Sequence, residues 1–141
     1  MNKDSHTDEE LQQMFGMRNI AVVGMSRNEE KAAHYVPKYL IDQGYNIIPV
    51  NPATAAILQR KSFPAVSSVP ELVDIVDVFR PSEDVLKVVT DVVTKQGIKV
   101  IWMQEGIYSE EAERIAIEKG IKVVYNRCMM IEHMRLLGTA N

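Results

Sequence analysis

Alternation is the feature that most constrains the fold. Five short runs rich in β-branched residues, Ile20–Val23, Asn46–Val50, Val73–Phe79, Lys99–Trp102 and Lys122–Tyr125, are separated by stretches of helical period. The runs are almost continuously apolar, as expected of strands covered on both faces. Between them lie three stripes: Val36, Tyr39, Leu40 and Gln43, closed by Gly44; Val85, Val88, Val89, Val92 and Val93, opened after Pro81-Ser82 and closed by Gly97; and Ala112, Ile115 and Ala116, closed by Gly120. Ser109 reads as the N-cap of the third, with Glu110 and Glu111 in its first turn. Thr7 with Glu10 makes a capping box for a short helix over about 7–16, and Met129–Leu137 reads as a last helix packed through Met130, Met134 and Leu137. Pro52, Pro64 and Pro70 break the segment between the second and third runs. Strands joined by helices imply βαβ crossovers of one hand and a parallel sheet. The expected class is α/β: a Rossmann-like three-layer sandwich, with a five-stranded parallel sheet of order 3-2-1-4-5 and helices on both faces. One domain, 1–141, is expected, with its core over about 18–138.

The chain has 141 residues, 46% hydrophobic and 25% charged, with a formal net charge of −3, so a disordered tail and a disulfide scaffold are excluded. It lacks a basic block that would favour nucleic acid, and no apolar run approaches the ~20 residues of a membrane span. The opening MNKDSHTDEE is polar and acidic, unlike a signal peptide, and the single Cys128 fits a reducing compartment. A cytoplasmic protein is expected, its oligomeric state left open.

In sheets of this kind ligands bind where the strands end. The first run leads into Gly24-Met25-Ser26-Arg27 and then Lys31, where a glycine turn and a helix start suit a phosphate. Three glycines and a ribose-binding acid would mark a dinucleotide site; only Gly24 is present, and the second run ends in Asn51-Pro52. NAD is therefore the second choice. Phe79-Arg80-Pro81 offers a flat ring and a guanidinium, Gln104-Glu105-Gly106 an amide and a close-approach glycine, and Asn126-Arg127-Cys128 ends the fifth run. Arg27, Lys31, Arg80 and Arg127 make this edge basic in an acidic protein, which favours a phosphorylated ligand.

A catalytic constellation is missing. His6, His34 and His133 lie apart, Glu132 and His133 point in different directions on a helix, and none of the metalloprotease, dithiol or nucleophile-elbow motifs occurs. Neither a metal site nor a catalytic residue is expected. Cys128 is either a buried inert thiol or a reactive one, since it begins a helix and follows Arg127.

Five motifs then occur in order: Ile20-Ala-Val-Val-Gly24-Met-Ser26, Tyr45-Asn-Ile-Ile-Pro-Val-Asn51-Pro52, Val73-Asp-Ile-Val-Asp-Val-Phe-Arg80-Pro81, Trp102-Met-Gln104-Glu-Gly106-Ile107 and Asn126-Arg-Cys128-Met-Met-Ile-Glu-His133. From Arg18 to Gly138 the chain resembles the small stand-alone CoA-binding proteins of bacteria and archaea. Their domain is similar to the N-terminal CoA-binding domain of the succinyl-CoA synthetase α subunit and of ADP-forming acyl-CoA synthetases. The resemblance implies coenzyme A or a short acyl-CoA as ligand. It places Gly24, Met25, Ser26 and Arg27 on the pyrophosphate and Lys31 near a phosphate. Asn51, Pro52, Phe79, Arg80 and Pro81 would border the adenosine, and Gln104 and Gly106 the pantetheine arm. The chain departs from the family at Met25 and Ala33, where Ala and Ser are common, at Tyr35, where Arg is, and at Glu105, where many relatives are apolar. The resemblance implies a binding, sensing or carrier module without catalysis of its own. The alternatives are the CoA-binding subunit of a split acyl-CoA synthetase or transferase, an NAD(P)-binding protein, and a CoA-thiol redox protein using Cys128.

Overall fold

The computed structural model describes residues 1–138, so the last three positions of the expected 1–141 domain lie outside the described residues. The five expected strands form, with small shifts of their ends: β1 (Asn19–Val23), β2 (Asn46–Val50), β5 (Ile75–Val78), β6 (Val100–Met103) and β7 (Lys122–Val124). Between β2 and β5 lies a short antiparallel pair, β3 (Ala56–Ile57) and β4 (Arg60–Lys61), followed by one 3₁₀ turn over Val66–Ser68. This pair was not legible in the sequence. Its turn uses Leu58 and Gln59, both at positive φ, rather than the Asn-Gly or Asp-Gly that advertises such a turn. The helices are α1 (Asp8–Met14), α2 (Ala32–Asp42), α3 (Ser82–Val92), α4 (Glu110–Glu118) and α5 (Met129–Leu137). Thr7 and Ser109 cap α1 and α4 as expected, their hydroxyls accepting from Glu10 N and Ala112 N.

All pairings in the main sheet are parallel, in the order β2-β1-β5-β6-β7. The Rossmann pattern 3-2-1-4-5 is met with one reassignment. The third place, beyond β2, is held by Phe63 alone, in a parallel bridge to Val50. The run Val73–Phe79, read from sequence as the third strand, takes the fourth place beside β1. Pro64 explains why the third strand is a single residue: it has no N–H with which to continue the ladder.

Side chains alternate between two cores. Ala21, Val23, Val76, Val78, Ile101 and Met103 pack under α3 and α4. Ile20, Val22, Ile75, Val100 and Trp102 pack under α1, α2 and α5. Those are the three layers. The crossovers change face once, between β2 and β5, which opens the sheet edge at the ends of β1 and β5.

Candidate functional site

Gly24 is the first residue beyond β1, at φ +82°, and a Cβ there would lie 2.4 Å from the Phe79 carbonyl oxygen. Only glycine lets the chain after β1 pass this close to the chain after β5. The turn that follows is fastened at several points. Gly24 N donates to Val50 O (3.0 Å), and Asn51 Nδ2 to Met25 O (2.9 Å). Ser26 N donates to Ala33 O (3.1 Å), and His34 Nδ1 donates back to Ser26 O (2.7 Å).

The Ala33 carbonyl is available because of Pro37. A residue with an N–H at position 37 of α2 would donate to it, and proline has none. A proline inside a helix thus supplies the acceptor that holds the glycine turn. Sequence inspection missed this role for Pro37 and the bracing role of His34, although a proline within a helical stripe was visible.

Around the turn lies a cavity of about 460 Å³ lined by Gly24, Met25, Ser26, Arg27, Lys31, Asn51, Phe79 and Arg80, among others. Eight of the expected binding residues are therefore brought together. No acidic side chain lines the cavity. Arg80 is paired with Asp84 (2.8 Å), both largely exposed, while Arg27 and Lys31 have no carboxylate partner among the described residues. Lys31 is also the N-cap of α2 and makes no side-chain cap; His34 N and Tyr35 N donate to its carbonyl, while the N–H groups of Ala32 and Ala33 at the start of this eleven-residue helix have no partner among the described residues.

The expected roles inside the turn change in detail. Gly24 N and Ser26 N are committed to the fold, and Ser26 Oγ accepts from Asn28 N (3.0 Å). The N–H groups of Met25 and Arg27 carry no partner among the described residues. Met25 offers only its backbone, since its side chain is fully buried under α2 and α5. The Asn51 side chain braces the turn and receives Ala53 N at its oxygen (2.8 Å), so it is occupied at both ends.

Four expected residues stand outside this cavity. Pro52 follows β2 on the exposed surface, and Pro81 caps α3. Gly106 sits at φ +80° in the loop after β6, its N–H held by Asn126 Oδ1 (2.7 Å). Gln104 is buried and turned inward: its amide donates to Asp77, and its oxygen accepts from Met129 N (3.4 Å).

Arg127 does not belong to the basic edge. It is buried against the opening segment, with Nη2 3.0 Å from Asp4 Oδ1 and Nη1 3.7 Å from Glu132 Oε2. Burial pushes the Asp4 carboxyl up, but Arg127 and the N–H groups of Tyr125 and His6 outweigh it and hold the group below its ordinary value. With its guanidinium so engaged, Arg127 does not activate Cys128. Burial raises the Cys128 thiol above its ordinary value, the N–H groups of Ile131 and Met130 lower it less, and Asp77 and Glu105 raise it further. Of the two readings open in the sequence, these shifts favour the buried thiol over one activated by Arg127. His133 is a packing residue: Nδ1 lies 2.7 Å from Tyr39 Oη, and Phe15, Tyr39 and Tyr45 meet its ring edge-on.

Residues 18–134 match the CoA binding domain family. The chain belongs to this family. The CoA-binding domain is 37% identical to the uncharacterized protein YneT of Bacillus subtilis over 82% of this chain and 85% of that one. It is 31% identical to an ADP-forming acetate–CoA ligase II of Archaeoglobus fulgidus over 77% of this chain, and there it spans only 16% of the relative's length. Among solved structures, a hypothetical protein from Pyrococcus horikoshii OT3 superposes with a TM-score of 0.91 at 38% identity, covering 98% of this chain and 100% of that one. The fold therefore exists both as a stand-alone chain and as a small part of a ligase.

Proposed function

We propose that this CoA-binding domain holds coenzyme A or a short acyl-CoA, with its phosphates in the cavity after β1. The observation that carries the reading is the cavity itself. Arg27, Lys31 and Arg80 surround it without a lining acid, and it opens against the start of α2, where the N–H groups of Ala32 and Ala33 have no partner among the described residues. In this pose the unpartnered N–H groups of Met25 and Arg27 face the pyrophosphate, and Phe79 lies against the adenosine part. Pro52 and Pro81 stiffen the rims, and the pantetheine arm runs along the strand ends past Gly106. Asn51 and Gln104 act from behind, by shaping the turn and the loop. The function proposed is binding, sensing or presentation in the cytoplasm. No helix among the described residues is long and apolar enough to cross a membrane.

Replacing Lys31 with Ala tests the cavity. CoA affinity measured by calorimetry is expected to fall about tenfold, and the loss to shrink as salt is raised. Unchanged affinity at low salt contradicts the pose.

A second reading rests on the ligase relatives, of which this domain spans 16% and 19%. The chain would then be the CoA-binding subunit of a split ligase whose other subunit carries the catalytic machinery. Gentle affinity purification from the native host is expected to retain such a subunit; a chain recovered alone removes this reading.

A further inference from the structure

The six residues before Thr7, the cap of α1, lie against the outer edge of β7, the last strand of the sheet. Residues 2–6 are Asn, Lys, Asp, Ser and His, without an apolar side chain among them, and Met1 is largely exposed. Between this segment, β7 and α4 lies a cavity of about 440 Å³, lined by Asp4, Ser5, His6, Glu113, Ile117 and Val123, among others. The segment is thus a strap held by polar bonds beside an open space, rather than an element packed into a core.

Three side chains fasten it. Asp4 Oδ2 accepts from Tyr125 N (2.9 Å), and its carboxylate pairs with Arg127. Asn126 Nδ2 donates to Met1 O (3.1 Å) and Asn2 O (3.3 Å). His6 lies between α1 and β7, with Nδ1 2.6 Å from Glu10 Oε2 and Nε2 2.8 Å from Val123 O. Val123 O and Tyr125 N are edge groups that a further strand would otherwise take, and here His6 and Asp4 take them. Both partners of the His6 ring, an ionised carboxylate and a backbone carbonyl, can only accept. Both ring nitrogens must therefore carry a proton, which is the imidazolium form. A neutral imidazole has one N–H and can keep Glu10 or Val123, but not both.

We propose that this strap is a pH-sensitive device locked by the second ring proton of His6. With that proton the strap is closed on β7; without it one of the two bonds is lost and the strap shifts toward an open form. Closing takes up a proton, so the closed form gains as pH falls and the open form gains as pH rises through about 5 to 8, where imidazoles change charge. The carboxylates of the lock stay ionised across that range. The hydrogen bond from His6 holds Glu10 below its ordinary value. Burial raises Asp4, but Arg127 and the N–H groups of Tyr125 and His6 bring it below its ordinary value. Release also reaches the strand ends, because Asn126 Oδ1 holds Gly106 N and two of the three bonds of that amide go to the strap. The lock does not depend on the CoA reading.

The other charged groups around His6 supply no second lock. Glu113 on α4 accepts from Tyr108 Oη (2.7 Å), and Lys122 on β7 lines the same cavity with no carboxylate partner among the described residues. Asp8 on α1 pairs with Arg135 of α5, while Arg127 and Glu132 pair with each other and with Asp4 and Arg135.

The test is amide hydrogen exchange of the full chain at pH 5.5 and pH 8.5, read at His6 N and Tyr125 N, both of which donate to Asp4. Protection factors, which remove the intrinsic pH dependence of exchange, are expected to be at least about tenfold lower at pH 8.5. His6→Gln keeps one donor and has no titrating proton, so its protection is expected to be low and equal at both pH values, a pattern that a purely structural role would not produce. Equal protection in the natural protein at the two pH values overturns the proposal. So does a His6→Gln protein with the pH dependence of the natural one, or a nitrogen-15 spectrum of the His6 ring showing one protonated nitrogen at pH 5.5.

Discussion

Gly24 and Asp77 show how differently two residues can be constrained. Gly24 is fixed by geometry: φ +82° and a neighbour 2.4 Å from any added Cβ leave no room for a side chain. Gly24→Ala is expected to cost at least about 2 kcal/mol in thermal or denaturant unfolding and to abolish calorimetric CoA binding. Asp77 is constrained by electrostatics. Burial, only partly offset by Gln104, pushes its carboxyl up to about 7. The native state then holds a proton that the unfolded state releases near pH 4, so Asp77 erodes stability as pH rises toward 7 and no further above it. Asp77→Asn is therefore expected to gain stability over the natural protein at up to about 1.4 kcal/mol per pH unit across that window, with little difference at pH 4. Parallel unfolding curves for the two proteins at every pH would contradict this. Both residues could be read in part from sequence, Gly24 as the turn after a strand and Asp77 as an acid inside an apolar run. Arg127 misled because its partner Asp4 is 123 positions away, and no local pattern reports such a pair.

At the scale of elements, strands and helices were legible because each carries its own period and punctuation. Gly44 and Gly120 close α2 and α4 where expected, at positive φ, whereas α3 ends at Val92, with Val93 as its C-cap, before Gly97 is reached. What the sequence did not announce were bonds between elements. Pro37 looks like a defect in α2, yet it leaves Ala33 O to receive Ser26 N. Pro37→Ala restores a helix donor that competes for that carbonyl. Helix propensity improves, by up to about 3 kcal/mol in isolation, while the glycine turn loosens. The expected signature is faster amide exchange at Ser26 and weaker CoA binding without loss of global stability. Unchanged Ser26 protection would rule out the brace. The sheet order had the same limit. The broken segment between Pro52 and Pro70 supplies the third strand as Phe63 alone, too short for any periodicity to reveal.

For the whole molecule, the acidic total conceals a basic edge. The sixteen Lys and Arg are outnumbered by nineteen Asp and Glu, but none of those acids lines the Gly24 cavity. All five parallel strands of the main sheet end along one edge, where the proposed pose lays the phosphates by β1, the adenosine by β2 and β5, and the thiol arm toward β6 and β7. That layout suits a nucleotide with an extended arm better than a dinucleotide, because β2 ends in Asn51-Pro52 without a ribose-binding acid and the turn after β1 has Gly24 alone of the three fingerprint glycines. The most direct measurement is calorimetric titration of the full chain with CoA, 3′-dephospho-CoA and NAD at low salt. The expected result is saturable CoA binding at least about tenfold tighter than NAD, with dephospho-CoA between the two. No heat with CoA, or NAD binding as tightly, would contradict it.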